Sequence, residues 1–179
     1  TSSAAHCGGC GMACSANHVA AACAMSSCEA GACDPGWFDC NGDKRTDGCE
    51  IDTRTSPDHC GGCGRACSGN NVPNRTCSGG VMPECNGACA AGFADCNNNK
   101  RSDGCEVNVG ADIRNCGACG TVCSSANGTP SCAAGACQIA CRAGFGNCDR
   151  NVGNGCEAAL NTLANCGSCN SPCALHNAT

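Results

Sequence analysis

The sequence predicts a small disulfide-rich repeat array, mostly irregular with short β-hairpins and little helix, and the outline of an elongated rod. Three observations lead there. Twenty-seven of the 179 residues are cysteine. They recur in one spacing pattern three times and begin it a fourth time. The remaining apolar residues cannot fill a conventional core, because the 42% hydrophobic fraction is largely Ala and Cys, with three Leu, three Ile, three Phe, one Trp and no Tyr. Self-similarity at a period of roughly fifty residues marks an array whose stability is the sum of units and their junctions.

The repeats divide the chain at 1–58, 59–114, 115–164 and 165–179. The first carries Cys7, Cys10, Cys14, Cys23, Cys28, Cys33, Cys40 and Cys49, and the second Cys60, Cys63, Cys67, Cys77, Cys85, Cys89, Cys96 and Cys105. The third carries Cys116, Cys119, Cys123, Cys132, Cys137, Cys141, Cys148 and Cys156, after which Cys166, Cys169 and Cys173 open the fourth. A unit this small is near the size at which burial alone is marginal. Bridges worth about 2–4 kcal/mol each, about four per repeat, would offset much of the ordering cost of a Gly-rich chain. Such cysteine usage implies an oxidising compartment and an extracellular or cell-surface location. No apolar run is long enough to span a bilayer. The net charge of -5, with two Lys and eight Arg dispersed along the chain, leaves no basic footprint for nucleic acid.

Each repeat opens on a cysteine triplet, Cys7-Gly-Gly-Cys10-Gly-Met-Ala-Cys14 in the first and Cys60-Gly-Gly-Cys63-Gly-Arg-Ala-Cys67 in the second. Glycine permits the sharp turns from which three cysteines leave in different directions. A stretch that varies between copies follows, 15–22 and 68–76, with the character of a surface loop. Gly31-Ala32-Cys33 and Gly135-Ala136-Cys137, then the steps Gly36-Trp37, Gly92-Phe93 and Gly144-Phe145, read as short hairpins with one ring per repeat packed on disulfide sulfur.

The segment after the ring places oxygen-bearing side chains at positions 1, 3, 5, 9 and 12 of a twelve-residue loop. In the first repeat they are Asp39, Asn41, Asp43, Asp47 and Glu50, and in the second Asp95, Asn97, Asn99, Asp103 and Glu106. The third repeat is one residue shorter, with Asn147, Asp149, Asn151, Asn154 and Glu157. This is the ligand register of a calcium loop, since calcium takes six to eight oxygens and the spacing turns alternate side chains toward one point. Position 6, glycine in an EF-hand, is Lys44 or Lys100, and no helical periodicity flanks it. The alternative is an Asx-rich turn clipped by a bridge between Cys40 and Cys49, with Cys96 and Cys105, and Cys148 and Cys156, at the same places, and Gly48 supplying a positive φ. Connectivity stays open, because eight cysteines allow 105 pairings.

Other chemistries fit less well. Nothing around the Cys-x-x-Cys pairs argues for holding twenty-seven thiols reduced as zinc ligands. A c-type haem needs a His after the pair, whereas His6 and His59 precede theirs and Asn115 and Asn165 take that place in later copies. The simplest role for these four is a hydrogen-bonded or solvated loop residue. No nucleophile elbow, zinc-binding His pair or phosphate-cradling loop is present, which predicts a non-enzymatic protein requiring no cofactor, calcium being the one ion the pattern suits. Asn74-Arg-Thr76, Asn127-Gly-Thr129 and Asn177-Ala-Thr179 are N-glycosylation sequons, so glycans are expected partners.

The run Asp58-His-Cys60-Gly-Gly-Cys63-Gly-Arg-Ala-Cys67, with Gly92-Phe93-Ala-Asp95-Cys96 and Asp103-Gly104-Cys105-Glu106, resembles cysteine-rich repeats of secreted and cell-surface proteins of myxobacteria and some protists. The triplet alone is similar to those of stigma-specific plant proteins and algal mastigoneme glycoproteins. The resemblance implies a durable extracellular structural role in a filament or surface layer and carries over no catalytic residue. The rivals are a calcium-dependent adhesion or carbohydrate-binding array, and a secreted inhibitor or signalling array. The opening Thr1-Ser2-Ser3, unlike a signal peptide, is read as a mature form or an excised piece. Four triplets but three five-cysteine blocks leave one triplet without its usual partner, stranding a thiol. The expectation is a section of a longer array, or a homopolymer that self-associates head to tail.

Overall fold

The computed structural model describes residues 2–174, so the Asn177 sequon lies outside the described residues. It is a small disulfide-rich, mostly irregular fold. No α-helix occurs among the described residues; two 3-10 turns, Ala4–His6 and Cys28–Ala30, are the helical content. Short strands pair antiparallel in twos. β1 (Trp37–Phe38) pairs with β2 (Ile51–Asp52), β3 (Thr76–Cys77) with β4 (Cys85–Asn86), and β5 (Phe93–Ala94) with β6 (Val107–Asn108). β7 (Gly128–Ala133) pairs with β8 (Ala136–Cys141), and β9 (Phe145–Gly146) with β10 (Ala158–Ala159).

The β7–β8 ribbon is the longest because its sequence has both a turn and an alternation to support it. Ala134 and Gly135 take φ of 49° and 76°, the two-residue turn whose twist matches a hairpin. Residues of β7 alternate half-buried and exposed along the strand. Elsewhere the pairs stop after two residues, where cysteines leave to make their bridges.

Thirteen disulfides use twenty-six of the cysteines, and cystine takes the place of a core. Cys7, Cys49, Cys60, Cys105 and Cys156 are fully buried, whereas the large apolar Met25, Val81 and Met82 are exposed. In the second repeat Cys60, Cys67 and Cys77 form a buried cluster with Cys85 packed against it. Trp37 stacks on the imidazole of His18, ring centroids 3.4 Å apart and planes within 5°.

The chain divides into two units. One holds Thr1–Cys89 and Asn98–Gly104, the other Ala90–Asn97 and Cys105–Thr179. Within the first, Gly48 has φ of 81°, as the turn requires, and a Cβ there would collide with the carbonyl oxygen of Asn17, which accepts the Cys49 N–H at 2.9 Å. Gly155 repeats this in the second unit, with φ of 86° and Ala126 in the part of Asn17. Gly48→Ala therefore combines a left-handed backbone with a backbone clash. It is expected to destabilise the first repeat by about 1–3 kcal/mol, read as a lower denaturant midpoint under oxidising conditions; an unchanged midpoint would refute that account of the turn.

Candidate functional site

Three bridge types recur in every complete repeat. The first and third cysteines of each triplet bond within their own repeat: Cys7–Cys23 and Cys14–Cys28, Cys60–Cys77 and Cys67–Cys85, Cys116–Cys132 and Cys123–Cys137. The sixth and eighth close the loop, as Cys33–Cys49 and Cys141–Cys156, and Cys89 and Cys105 at the corresponding positions are both disulfide-bonded. The fourth type leaves the repeat: Cys40–Cys63, Cys96–Cys119 and Cys148–Cys169 join the seventh cysteine of one repeat to the second of the next triplet.

The clip expected between Cys40 and Cys49 is thus corrected, and so are its counterparts between Cys96 and Cys105 and between Cys148 and Cys156. Cys49 is fully buried against Cys33, while Cys40 is half-buried, its N–H donating to Glu50 Oε1 at 3.0 Å. Cys40 bonds instead to Cys63, and Cys49, taken up by Cys33, is not open to it. The triplets bond neither wholly within their own repeat nor wholly to the preceding one. Cys166 and Cys173 bond to each other, and the free cysteine is Cys10, which is exposed.

All four triplets share one backbone fold. The first cysteine's N–H donates five residues ahead, as Cys7 to Met12, Cys60 to Arg65, Cys116 to Thr121 and Cys166 to Ser171. The residue before it accepts an amide proton: His6 Nδ1 from Gly11 at 2.9 Å, His59 Nδ1 from Gly64 at 3.0 Å, and Asn115 and Asn165 Oδ1 from Gly120 and Asn170 at 2.8 Å. That shared acceptor role is why His and Asn interchange there.

The first acidic loop lies wholly in the first unit and is a set of nested Asx turns. Asp39 Oδ1 accepts from the amides of Gly42 and Asp43, Asn41 Oδ1 from Asp43, and Asp43 Oδ1 from Thr46. Asn41 Nδ2 donates to Asp47 Oδ2 at 2.6 Å. Asp47 Oδ1 and Glu50 Oε2 are buried with no hydrogen-bond partner. A buried acceptor left unsatisfied costs about 1–3 kcal/mol, more when charged, so these oxygens require an explanation. The position 7 carbonyl, which an EF-hand gives to its ion, here accepts the Ser15 N–H at 2.9 Å. In the second repeat Asn99 and Asp103 fall in one unit and Asp95, Asn97 and Glu106 in the other. The third loop, inside the second unit, leaves Asn147 Oδ1 buried without a partner, while Glu157 Oε1 accepts from Cys148 and Asp149.

Asp149 is held below the usual carboxylate range by the Asn151 N–H and then the Asn154 amide, and Asp112 likewise by the Arg114 N–H and then Asn115. A depressed folded value means these turns keep their full stabilisation above the ordinary carboxylate range and lose it as pH falls through the lowered value. The amide resonances of Asn151 and Arg114 should therefore hold steady through about pH 4 and shift only in stronger acid. A transition at the ordinary Asp value would contradict this.

Two residue sets escaped sequence reasoning. Arg45 Nη1 donates to Cys7 O at 2.9 Å and Nη2 to Ser26 O at 3.3 Å, tying the loop to its own triplet and hairpin, and Arg101 does the same to Cys60 and Pro83. Asn17 Nδ2 and Asn70 Nδ2 donate to the carbonyls of Asp47 and Asp103, and Asn127 Nδ2 to that of Cys156. The recurring Asn was the available signal, and in the third repeat it falls within a sequon. Asn127 is half-buried in this role, while Asn74 and Thr76 of the other described sequon are exposed.

Among the described residues, the metal-ligating atoms that cluster within 4.8 Å are sulfurs of Cys7, Cys14 and Cys28 and their equivalents, all oxidised in disulfides and so not thiolate ligands. No helix there is long and apolar enough to cross a membrane. No family model, curated protein or solved structure matches the chain.

Proposed function

We propose that the chain is a non-enzymatic structural subunit or segment of an extracellular filament or surface layer, assembled head to tail with neighbouring repeats. The observation that carries this reading is the bridge between repeats. Cys40–Cys63 and Cys148–Cys169 make consecutive repeats one covalent network, so tension or proteolysis at a connecting segment does not part them. Disulfide richness suits an oxidising, extracellular setting. A glycan on exposed Asn74 would coat the outside without disturbing the fold. Native assemblies should persist in chelator and disperse only on reduction. Dispersal in chelator alone, with disulfides intact, would overturn the scaffold.

The orphaned oxygens favour a second reading, a calcium-dependent adhesion or carbohydrate-binding array. Asp47 Oδ1 and Glu50 Oε2 sit at positions 9 and 12 of the calcium register, and a divalent cation would satisfy both. In a scaffold the ion would stiffen the loop. In an adhesin, its removal would abolish ligand binding. Trp37, the single tryptophan, lies two residues before Asp39. Terbium bound in this loop should show tryptophan-sensitised emission, displaced by calcium and reduced at least tenfold in Asp47→Asn. Absence of sensitised emission would remove the cation from both readings.

A further inference from the structure

In the second repeat two bridges lie side by side. The sulfurs of Cys60, Cys67 and Cys85 are within 4.8 Å of one another, although Cys60 is bonded to Cys77 and Cys67 to Cys85. Cys77 and Cys85 are also directly opposed across the β3–β4 hairpin. The Ser78 N–H donates to Glu84 O at 2.9 Å, so 78 and 84 form a hydrogen-bonded pair. That leaves 77 and 85 as the closer, non-hydrogen-bonded kind, whose Cα atoms stand about 4.5 Å apart. A disulfide accepts Cα separations from about 4.4 Å upward. The four cysteines therefore have a second pairing within reach, Cys60 with Cys67 and Cys77 with Cys85. The third repeat meets the same two conditions: the sulfurs of Cys116, Cys123 and Cys137 cluster within 4.8 Å, and Cys132 opposes Cys137 on β7–β8. A first-to-third bond also suits the triplet's own fold, since Cys166 and Cys173 make it while the Cys166 N–H still donates to Ser171 O.

Access to the quartet of the second repeat is one-sided. Cys60, Cys67 and Cys77 are buried, whereas Cys85 is half-buried. We propose that this quartet is a thiol-triggered switch, in which a low-molecular-weight thiol catalyses the exchange of one pairing for the other. Its thiolate attacks Cys85 Sγ: a mixed disulfide forms, the Cys67–Cys85 bond breaks, and Cys67 leaves as a thiolate. Cys67 then attacks Cys60, the near sulfur of the Cys60–Cys77 bridge, so that Cys60–Cys67 forms and Cys77 leaves as a thiolate. Cys77 attacks Cys85 across the hairpin, Cys77–Cys85 forms, and the small thiolate is released. Two protein disulfides and one small thiol stand on each side, so nothing is oxidised or reduced overall. The native pairing is the resting one, because its bridges close longer stretches of chain than those of the isomer and constrain the unfolded state more. Exchange frees the hairpin from the triplet while Cys40–Cys63 and Cys96–Cys119 stay in place, so a repeat loosens without parting from its neighbours. Nothing in this exchange requires the chain to assemble.

The test alkylates the accessible thiol of the full oxidised chain with iodoacetamide, adds sub-stoichiometric reduced glutathione under argon, and quenches with acid. Trypsin and a glutamate-specific protease then cut at Arg65, Arg75 and Glu84, which places the four cysteines on separate peptides. Expected in the fragment spectra are Cys60–Cys67 and Cys77–Cys85 links arising together in equal amounts, with the intact mass unchanged once glutathione is removed and the Cys40–Cys63 link retained. Cys85→Ser isolates the middle step: the Cys67 thiol exchanges with the Cys60–Cys77 bridge unaided, and iodoacetamide labels Cys77 as well as Cys67. Native links alone, up to the glutathione concentration that opens Cys40–Cys63, would overturn the switch. So would label confined to Cys67 in the variant, or scrambled links that include Cys40 or Cys63 from the outset.

Discussion

The double variant Cys60→Ala and Cys77→Ala is expected to unfold the second repeat while the first keeps its bridges. Both sulfurs are buried, Cys60 fully, at the centre of the cluster that serves this repeat as a core. Losing the bridge alone costs about 2–5 kcal/mol, a large share of the about 5–15 kcal/mol that stabilises an ordinary domain. Alanine is the informative substitution, since a serine hydroxyl in that site would add an unsatisfied polar group. Hydrogen exchange should show amides of 60–88 losing protection while those of Cys49 and Thr53 retain most of theirs. Uniform loss across both repeats would mean that the repeats fold as one cooperative body.

The counterpart Cys40→Ser with Cys63→Ser should behave in the opposite way. Cys63 is exposed and Cys40 half-buried, so serine fits both, and each repeat keeps its internal bridges. What disappears is the covalent link. Between Cys49 and Cys60 the polypeptide itself is the only other covalent connection, so cleavage after Arg54 followed by denaturing, non-reducing electrophoresis tests the bridge directly. Wild-type fragments should stay joined until reduced, whereas those of the double variant should part at once. Each repeat's own melting should change by less than the about 2–5 kcal/mol expected of an internal bridge.

Much of this architecture is legible in the residues. The cysteine period, the poverty of Leu, Ile and Phe, and the Gly-aromatic steps together specify a disulfide-rich fold of short hairpins, and Gly48 before Cys49 marks a positive-φ turn. The Asx loop is legible as a turn too, because Asp and Asn bond amides two to four residues ahead. Pairing is not. Cys40 and Cys49 are near in sequence and invite a clip, but Cys49 is fully buried in its bond to Cys33 while Cys40 bonds to Cys63 of the next repeat. A bridge to the next repeat is a long-range contact with no local signature. The role of Arg45 is hidden for the same reason: its partners, Cys7 and Ser26, lie 38 and 19 residues away. The unsatisfied carboxylate oxygens are beyond any spacing argument, since burial at single-atom scale follows only from the packed chain.

Mapping of disulfide-linked peptides in unreduced native protein tests the central claim most directly. Peptides joining Cys40 to Cys63, Cys96 to Cys119 and Cys148 to Cys169 are expected, with Cys10 either alkylated or joined to a seventh-position cysteine. Peptides joining Cys40 to Cys49 and Cys96 to Cys105 would contradict the account, reducing the protein to separately clipped repeats on a flexible string.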